Sequence, residues 1–518
     1  MKKMRLDEMK FGTVISYINI FISLISGMLI TPLMIKFMGS NEYGLYNLMG
    51  AFTSYLSILE AGLGFTIVRY VAKYNYEKDK RGRENILAYC TIAYFIICFA
   101  IILASMYIYR NIDLIFSKSL AKSQLSDAKI MFIILTLTIV ITTINSLFTS
   151  ALSGCEKFII PRFFSCTISV LKIILIVLLM LSYPSAVLLT LLTLVLSILN
   201  LILNIYYAIK KIKIKIKFHF WDSKLFLELL IFTSFNFIQV LINQLYWKVD
   251  EIILGTMIST SVVAIYSVSM QLNMFTMNFA STASSVVLPK ATHLITANSD
   301  DKSIAKFTAK VSRIILILYL LILIGFVFFG KKFIILWVGY DYIPAYYISV
   351  AIIASTLIPR VQDPINDIVR AKNMHGILNI IIFLAGIINV CMSIIFVHLY
   401  GIYGVVIGTV ISLIIGNILI GNIYYKKKVG INLKIYFSET FSGIWKCILP
   451  IIVLCILLSI FNYVNWSVLI LQCLLYLIGF LLILFKWGLN TQEKQIVKKL
   501  VLKINFIKFK DKINTFIN

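Results

Sequence analysis

Polar and charged side chains recur along one side of an otherwise apolar stretch, residues 227–255. At about 100° per residue, four of them fall within an arc of about 60°: Asn236, Gln239, Asn243 and Asp250. Lys248 and Glu251 lie on the adjoining side. Amides, amines and carboxylates gathered in this way do not face hydrocarbon, because they need water or a polar partner. The pattern therefore predicts a surface that lines a polar cavity or contacts a partner helix.

A second row of charges lies at the end of the apolar stretch 347–369. Its members are spaced for one face of a helix: Arg360, Asp363, Asp367 and Arg370. Two prolines, Pro359 and Pro364, stand among them, and proline frees backbone carbonyls that are tolerated where they face protein or water. Two interpretations stay open. The opposite charges could pair between helices and lock the bundle, or Lys248 and Arg360 could line one wet central cavity.

Three further polar positions lie in other predicted spans. Asn19 is on a mildly polar side of the first predicted span (12–37), and Glu60 is near the inner end of the second (45–68). Lys172 is the one charge in the fifth predicted span (163–182). An isolated lysine such as Lys172 can also extend its amine to the membrane surface. A carboxylate shielded from water can exchange a proton or hold a cation. Asp250, Glu60 and Asp363 are therefore candidates for coupling to a proton or a sodium ion.

The composition is that of an integral membrane protein. Of the 518 residues, 60% are hydrophobic and 14% are charged, whereas a globular domain carries about 25% charged residues. A spanning helix needs about 20 mostly apolar residues, and the sequence predicts about fourteen such stretches joined by short polar turns. We therefore expect an all-α integral membrane fold.

The basic residues predict the orientation. Most of the 48 Lys and Arg residues lie in segments that alternate spans would place on one side, and positive residues near the ends of spans stay cytoplasmic. Both termini are therefore predicted to be cytoplasmic. The net charge of +26 fits inner loops that face anionic lipid, and no nucleic-acid partner is expected.

The basic run KKIKIKIKFHF, residues 210–220, separates six predicted spans from eight. Its alternation of Lys and Ile fits either a plain cytoplasmic linker or a short interfacial strand. The predicted organisation is a six-helix bundle at 1–209, a basic cytoplasmic linker at 210–224, a second six-helix bundle at 225–428, helices thirteen and fourteen at 429–490, and a basic cytoplasmic tail at 491–518.

Cofactor chemistry has little support in the sequence. The eight cysteines all fall in predicted spans or inner loops, no CxxC pair occurs, and the four histidines are scattered. The stretch GLGFTI, residues 62–67, lacks the third glycine of a dinucleotide site, and no phosphate-binding P-loop follows. We therefore expect no metal and no cofactor.

Several motifs carry a family resemblance. The segment FMGSNEYGLYNLMGAFTSYLSILEAGLGFTIVRYVAKY, residues 37–74, is similar to the signature of polysaccharide-export flippases. These form the Wzx-type branch of the multidrug, oligosaccharidyl-lipid and polysaccharide (MOP) exporter superfamily. The matching residues are Gly39, Tyr43, Gly44, Leu45, Gly62, Leu63 and Arg69, followed by Asp250, Gly255, Ala264, Tyr266 and Gln271, and then by Gly401, Gly404 and Gly408.

The resemblance implies two six-helix bundles around a central cavity, two additional C-terminal helices and alternating access. It also implies a function, the transfer of polyprenyl-pyrophosphate-linked oligosaccharide across a bacterial cytoplasmic membrane for O-antigen, capsule or a similar polysaccharide. Lys248 and Arg360, with Lys172 as a weaker candidate, would offset the pyrophosphate charge. Asn19 and the amides of residues 236–243 would meet sugar hydroxyls. Membrane lipids and the polysaccharide polymerase machinery are the other partners that it implies.

Two relatives of the same fold remain as alternatives. An ion-coupled multidrug exporter would use acidic cavity residues for cationic drugs, and a lipid II flippase differs only in its cargo. An enzyme is not expected, since a membrane glycan polymerase or ligase would need a large outer loop, and the outer turns here are short.

Overall fold

A computed structural model of the chain describes residues 2–60, 62–117, 119–221, 223, 237–284, 301–372, 374–461, 463–491 and 493–495. Within these ranges all regular structure is helical and no β-strand occurs. The predicted all-α class is therefore confirmed. The physical reason is that a helix pairs its own backbone groups, as any segment crossing hydrocarbon must.

Nine helices precede residue 285. They are α1 (Lys2–Ser54), α2 (Leu63–Tyr76), α3 (Lys80–Phe116), α4 (Lys122–Gly154), α5 (Ile159–Ser182), α6 (Ala186–Tyr206), α7 (237–247), α8 (Val249–Met257) and α9 (Thr260–Ser284). A π-helical turn, Tyr207–Lys211, extends α6. The count refers to the described part of this region.

Nine more helices follow in the described part of the remaining chain. They are α10 (Asp301–Val338), α11 (Ile343–Val361), α12 (Asp363–Ala371), α13 (His375–Tyr400), α14 (Ile402–Leu413), α15 (Gly421–Tyr424), α16 (Leu433–Phe441), α17 (Ile444–Ser459) and α18 (Trp466–Ile483). Three π-helical segments, Ile414–Ile420, Tyr425–Val429 and Leu484–Gly488, continue α14, α15 and α18.

Eleven helical stretches among the described residues are long and apolar enough to cross a membrane. The first of them, Ile18–Tyr76, covers most of the first predicted span (12–37) and all of the second (45–68). The predicted seventh and eighth spans (227–255 and 262–287) are not among the eleven. A multi-pass membrane protein is thus supported, whereas the count of fourteen remains a prediction.

The helices contain three breaks, of which two lie within predicted spans. α1 is interrupted at Gly39, between the predicted spans 12–37 and 45–68, where φ is +80° and two helices join. The predicted second span is interrupted between Ser54 and Leu63, where a 3₁₀ turn, Leu56–Glu60, is followed by Gly62 with φ of +99°. The predicted tenth span, residues 347–369, is divided at Gln362, between α11 and α12. Positive φ favours glycine, which has no Cβ to clash.

The chain divides into two compact units. Unit 1 comprises Met1–Phe275 and Asn379–Gly416, and unit 2 comprises Thr276–Leu378 and Asn417–Asn518. One core of unit 1 gathers side chains of α2, α3 and α4, among them Ile67, Ile86 and Leu152. The division predicted from sequence, at the linker 210–224, is not tested by this arrangement and stays a prediction.

Unit 2 contains a buried arginine that secures the C-terminal segment. Arg313 of α10 is buried, and its Nε lies 2.7 Å from Glu493 Oε1. Its other nitrogens donate to backbone carbonyls of three residues: Thr440, Ser442 and Gly488. A guanidinium presents five donors in one plane, so it can satisfy this many acceptors at once.

The predicted cytoplasmic tail, residues 491–518, lies outside the described residues beyond 495.

Candidate functional site

The polar stretch that opens the sequence analysis is a broken helix. α7 ends at residue 247 and α8 begins at Val249, with Lys248 in the turn between them. Two side chains from other parts of unit 1 donate hydrogen bonds to carbonyls just before the break. Tyr55 Oη donates to the Gln244 carbonyl (3.0 Å), and Asn389 Nδ2 donates to the Leu245 carbonyl (3.2 Å). A broken membrane helix persists where protein groups satisfy its backbone in this way.

The break of α7 also contacts the irregular segment that follows α1. Ser54 Oγ donates to Gln244 Oε1 (3.1 Å), and Gln244 Nε2 donates to the Ser54 carbonyl (3.4 Å). Within unit 1, two helix ends are therefore joined by hydrogen bonds at their breaks. Such paired, discontinuous helices are where transporters build binding sites.

Asp250 is the most enclosed carboxylate of this region, with no exposed surface. Three hydroxyls reach it: Tyr266 Oη donates to Oδ2 (2.8 Å), Thr409 Oγ1 donates to Oδ2 (2.8 Å), and Ser393 Oγ donates to Oδ1 (3.0 Å). The Val405 carbonyl is a second acceptor, 3.0 Å from Thr409 Oγ1 and 3.4 Å from Ser393 Oγ. The hydroxyls of Thr409 and Ser393 can therefore donate either to Asp250 or to the Val405 carbonyl. If Asp250 binds a proton or a cation, these hydroxyls can donate to the carbonyl instead.

Lys248 and Glu251 form an ion pair next to Asp250. Lys248 Nζ lies 3.2 Å from both carboxylate oxygens of Glu251. Glu251 is 2% exposed, whereas the Lys248 side chain is 41% exposed. The positive N-terminus of α8 also favours both acidic residues in its first turn. The ammonium is therefore anchored on one side and open on the other.

The predicted polar arc of the seventh span does not form one continuous surface. Gln239 and Asn243 are exposed on α7, where Asn243 Nδ2 donates to the Gln239 carbonyl (3.1 Å), but Asp250 is buried. The turn at Lys248 changes the helical phase, so residues on opposite sides of it no longer share a face. Asn236 lies outside the described residues.

The other candidates of unit 1 occupy separate places. Asn19 Nδ2 donates to Ser165 Oγ (3.3 Å), which links α1 to α5. Glu60 ends the 3₁₀ turn after α1, and its Oε2 accepts a hydrogen bond from the buried Thr143 (2.8 Å). Lys172 is half-buried on α5 and forms no ion pair with the residues that the structure describes. Glu60 thus resembles Asp250 in meeting a hydroxyl at a helix break.

The four charges predicted at the end of the stretch 347–369 pair with one another around the break at Gln362. Arg360 Nη1 lies 3.4 Å from Asp363 Oδ2, and Arg370 Nη1 lies 3.5 Å from Asp367 Oδ1. Arg360 Nε is buried and has no hydrogen-bond partner among the described residues. The ion pair with Asp363 therefore leaves Arg360 Nε unsatisfied inside the protein.

Polar side chains that the sequence analysis did not single out hold the break in unit 2. Gln362 Nε2 donates to Asn422 Oδ1 (2.6 Å), and Tyr425 Oη donates to Asn366 Oδ1 (2.7 Å). In unit 1 the sequence analysis also missed Asn389, which binds the Leu245 carbonyl, and Ser393 and Thr409, which bind Asp250. Asn389 and Ser393 stand at i and i+4 in a strongly apolar helix, and that spacing is a signal that could have found them.

No group of three or more His, Cys, Asp or Glu side chains that could hold a metal ion occurs in the described parts of the chain. The expectation of no metal stays a prediction.

Comparison with solved structures relates the fold to MOP superfamily transporters. The lipid II flippase MurJ in its inward closed conformation matches with a TM-score of 0.71 and 19% identity, over 91% of this chain and 98% of that chain. An inward-facing multidrug resistance MATE family transporter of the MOP superfamily matches with a TM-score of 0.62 and 16% identity, over 82% and 96%. A MOP superfamily transporter from Pyrococcus furiosus gives 0.53 and 17%, over 82% and 96%.

Comparison of the sequence itself gives the family. No curated protein sequence matches the chain significantly. The family model described as polysaccharide biosynthesis protein matches residues 11–294, more than half of the chain. Those residues include the 37–74 signature, the broken helix at Lys248 and the buried Asp250. The chain therefore belongs to the polysaccharide biosynthesis protein family and has the fold of a MOP superfamily transporter.

Proposed function

We propose that this protein is a flippase that moves oligosaccharide repeat units, linked to a polyprenyl pyrophosphate such as undecaprenyl pyrophosphate, from the cytoplasmic to the outer leaflet. The proposed setting is a bacterial cytoplasmic membrane with both protein termini in the cytoplasm. The products would be O-antigen, capsule or a similar surface polysaccharide. Family membership and the transporter fold support a flippase and not an enzyme.

The observation that carries the proposal is Lys248. A lysine within a membrane segment is costly and requires a partner or a task. Its ammonium is fixed on one side by Glu251 at 3.2 Å, and 41% of the side chain is exposed. A diphosphate cannot cross hydrocarbon unaided, because a buried charge loses its hydration. An open ammonium at a helix break offsets that cost.

The remaining candidates have matching roles. Arg360, whose side chain is 25% exposed, is the second proposed contact of the pyrophosphate, and Lys172 is a third candidate for the same group. The exposed amides of Gln239 and Asn243 suit sugar hydroxyls, since an amide both donates and accepts.

Asp250 is the proposed coupling carboxylate, for a proton or a sodium ion. Its support is the enclosure by three hydroxyls and the second acceptor at the Val405 carbonyl. Glu60 and Asp363 are the alternatives. Transport that responds to a proton gradient and not to sodium, or the reverse, would identify the ion, and Asp250→Asn should abolish that response.

The deciding experiment is depletion of the protein in its host, followed by mass analysis of extracted lipids. We expect a polyprenyl pyrophosphate oligosaccharide to accumulate and surface polysaccharide to disappear. Complementation with the double variant Lys248→Ala and Arg360→Ala should fail at normal protein levels. Lys310→Ala, at an exposed lysine of α10, is the matched control and should complement. Full flipping by the double variant would refute the pyrophosphate assignment.

The same experiment distinguishes other cargoes of this fold. Accumulation of a peptide-bearing lipid II would assign the protein to the activity that MurJ's description names. If no lipid accumulates and cells become sensitive to cationic dyes, the multidrug exporter function applies instead. Co-purification of polysaccharide polymerase components would test the last proposed partner.

A further inference from the structure

The segment 213–221, which follows α6 and its π-helical turn, is hydrogen-bonded to the N-terminal end of α3. The buried Asn85 side chain holds its backbone, since Oδ1 accepts hydrogen bonds from the N–H groups of His219 (2.9 Å) and Phe220 (3.3 Å). Asn85 Nδ2 and Tyr89 Oη both donate to the Phe220 carbonyl, each at 3.0 Å. Four hydrogen bonds to two residues hold this segment against α3, although it forms no regular secondary structure.

Side chains reinforce the attachment. The ring of Tyr89 lies 5.3 Å from that of Trp221 and 5.6 Å from that of Phe218, between centroids. His219 Nε2 lies 2.9 Å from Glu84 Oε2, one residue before Asn85 in α3. The aromatic rings of the segment are thus placed against the first turns of a membrane helix, where its apolar run begins.

The segment covers a side of α3 that faces lipid. Asn85 and Tyr89 stand in line with residues seven, eleven, fourteen and eighteen positions after Asn85, which share one helical face: Ile92, Ile96, Phe99 and Leu103. These four apolar side chains are 47–64% exposed. Exposed apolar side chains along a membrane helix contact acyl chains. The docked segment therefore stands where that lipid-facing side meets the membrane surface.

The exposed groups of the segment are of two alternating kinds. The even positions carry the exposed apolar side chains of Ile216, Phe218 and Phe220, and Trp221 is 58% exposed. Odd positions 213, 215 and 217 carry exposed lysines. Aromatic rings at the membrane interface and lysines near anionic headgroups are both favourable. The bilayer interface is the surface that matches both kinds of side chain, because it places an apolar layer next to anionic headgroups.

We propose that residues 213–221 form an interfacial anchor that lies in the headgroup layer and binds anionic phospholipid of the cytoplasmic leaflet. The rings at 218, 220 and 221 enter the upper acyl region, and the three lysines contact phosphate groups. The assignment to the cytoplasmic leaflet follows from the predicted topology. The proposal is independent of the transported cargo.

Trp221 provides the probe. The full-length protein is placed in vesicles of zwitterionic phospholipid that contain a fraction of phospholipid brominated near the headgroup end of its acyl chains. The emission of Trp221 is the difference between the wild type and Trp221→Phe. We expect brominated lipid to quench this emission, and brominated anionic lipid to quench it more strongly than brominated zwitterionic lipid.

A charge variant separates specific from general lipid contact. Replacing Lys213, Lys215 and Lys217 by Gln should reduce the anionic preference by roughly fivefold per lysine, the fold-change equivalent to about 1 kcal/mol. The matched control replaces the lysine run at residues 426–428 by Gln, the same change of charge elsewhere, and should leave the preference unaltered. Quenching by aqueous iodide with none by brominated lipid would overturn the proposal. Equal quenching by both headgroups would overturn its anionic part.

Discussion

Replacing Lys248 by alanine should destabilise the protein even if Lys248 had no role in transport. The substitution leaves Glu251, which is 2% exposed, without the ammonium that lies 3.2 Å from both of its oxygens. Hydrogen bonds to charged groups contribute about 1.5–3 kcal/mol. A fully buried pair would lose about 3–5 kcal/mol, but Lys248 is 41% exposed and partly solvated, so the lower range applies.

A double-mutant cycle separates this structural cost from function. Glu251→Gln removes the uncompensated charge, so the double variant Lys248→Ala and Glu251→Gln should recover to within about 1 kcal/mol of the wild type. Stability is followed by thermal unfolding in nanodiscs with tryptophan fluorescence, at one protein concentration and lipid composition. Export of surface polysaccharide is measured on the same variants in the depleted host.

We expect the double variant to be stable and still inactive, because it lacks the cation that the cargo needs. A stable and active double variant would show that Lys248 serves only to neutralise Glu251, which refutes the pyrophosphate assignment. Equal stability of Lys248→Ala and the wild type would refute the energetic argument, since the pair would then contribute nothing to folding.

Two further substitutions test the packing of each unit. Arg313→Met should lower the free energy of unfolding by about 3–5 kcal/mol, because Glu493 and three backbone carbonyls lose the guanidinium that donates to them. The control Lys310→Met, at an exposed residue of the same helix, should change it by less than about 0.5 kcal/mol in thermal unfolding. An equal loss for both variants would contradict the role of Arg313. Gly44→Ala places a methyl group on the first backbone carbonyl of α9 and should cost at least about 1–3 kcal/mol. Gly50→Ala, with open space around its Cβ position, should be neutral or stabilising, so tolerance at both sites would show that α1 and α9 do not approach as closely as described.

Local features of the sequence were sufficient for the class of fold. Long apolar runs predict helices because each must bury its backbone in hydrocarbon, whatever the rest of the chain does. The charged positions Lys248, Asp250 and Arg360 were also evident, since a polar residue within such a run stands out. The Lys and Ile alternation at 210–220 was compatible with a plain linker or a short interfacial strand. The structure shows no β-strand there, and Asn85 holds the segment at His219 and Phe220.

The breaks in the helices and the hydrogen-bond partners at those breaks were not evident from the sequence. The phase of one helix predicts that Asn243 and Asp250 share a face, but the turn at Lys248 separates them. That turn is held by Tyr55 and Asn389, which are far away in the sequence. Nothing in a local pattern shows which distant side chain will satisfy a freed carbonyl.

The sequence by itself determined that this is a helical membrane protein and where its charges lie along the chain, because hydrophobic transfer acts residue by residue. Only the tertiary structure decided what those charges meet. Asp250 obtains its hydroxyls from Tyr266, Ser393 and Thr409, and the last two are separated from it by 143 and 159 positions. Hydrogen bonds need contact within about 3 Å, and only packing brings such remote residues that close.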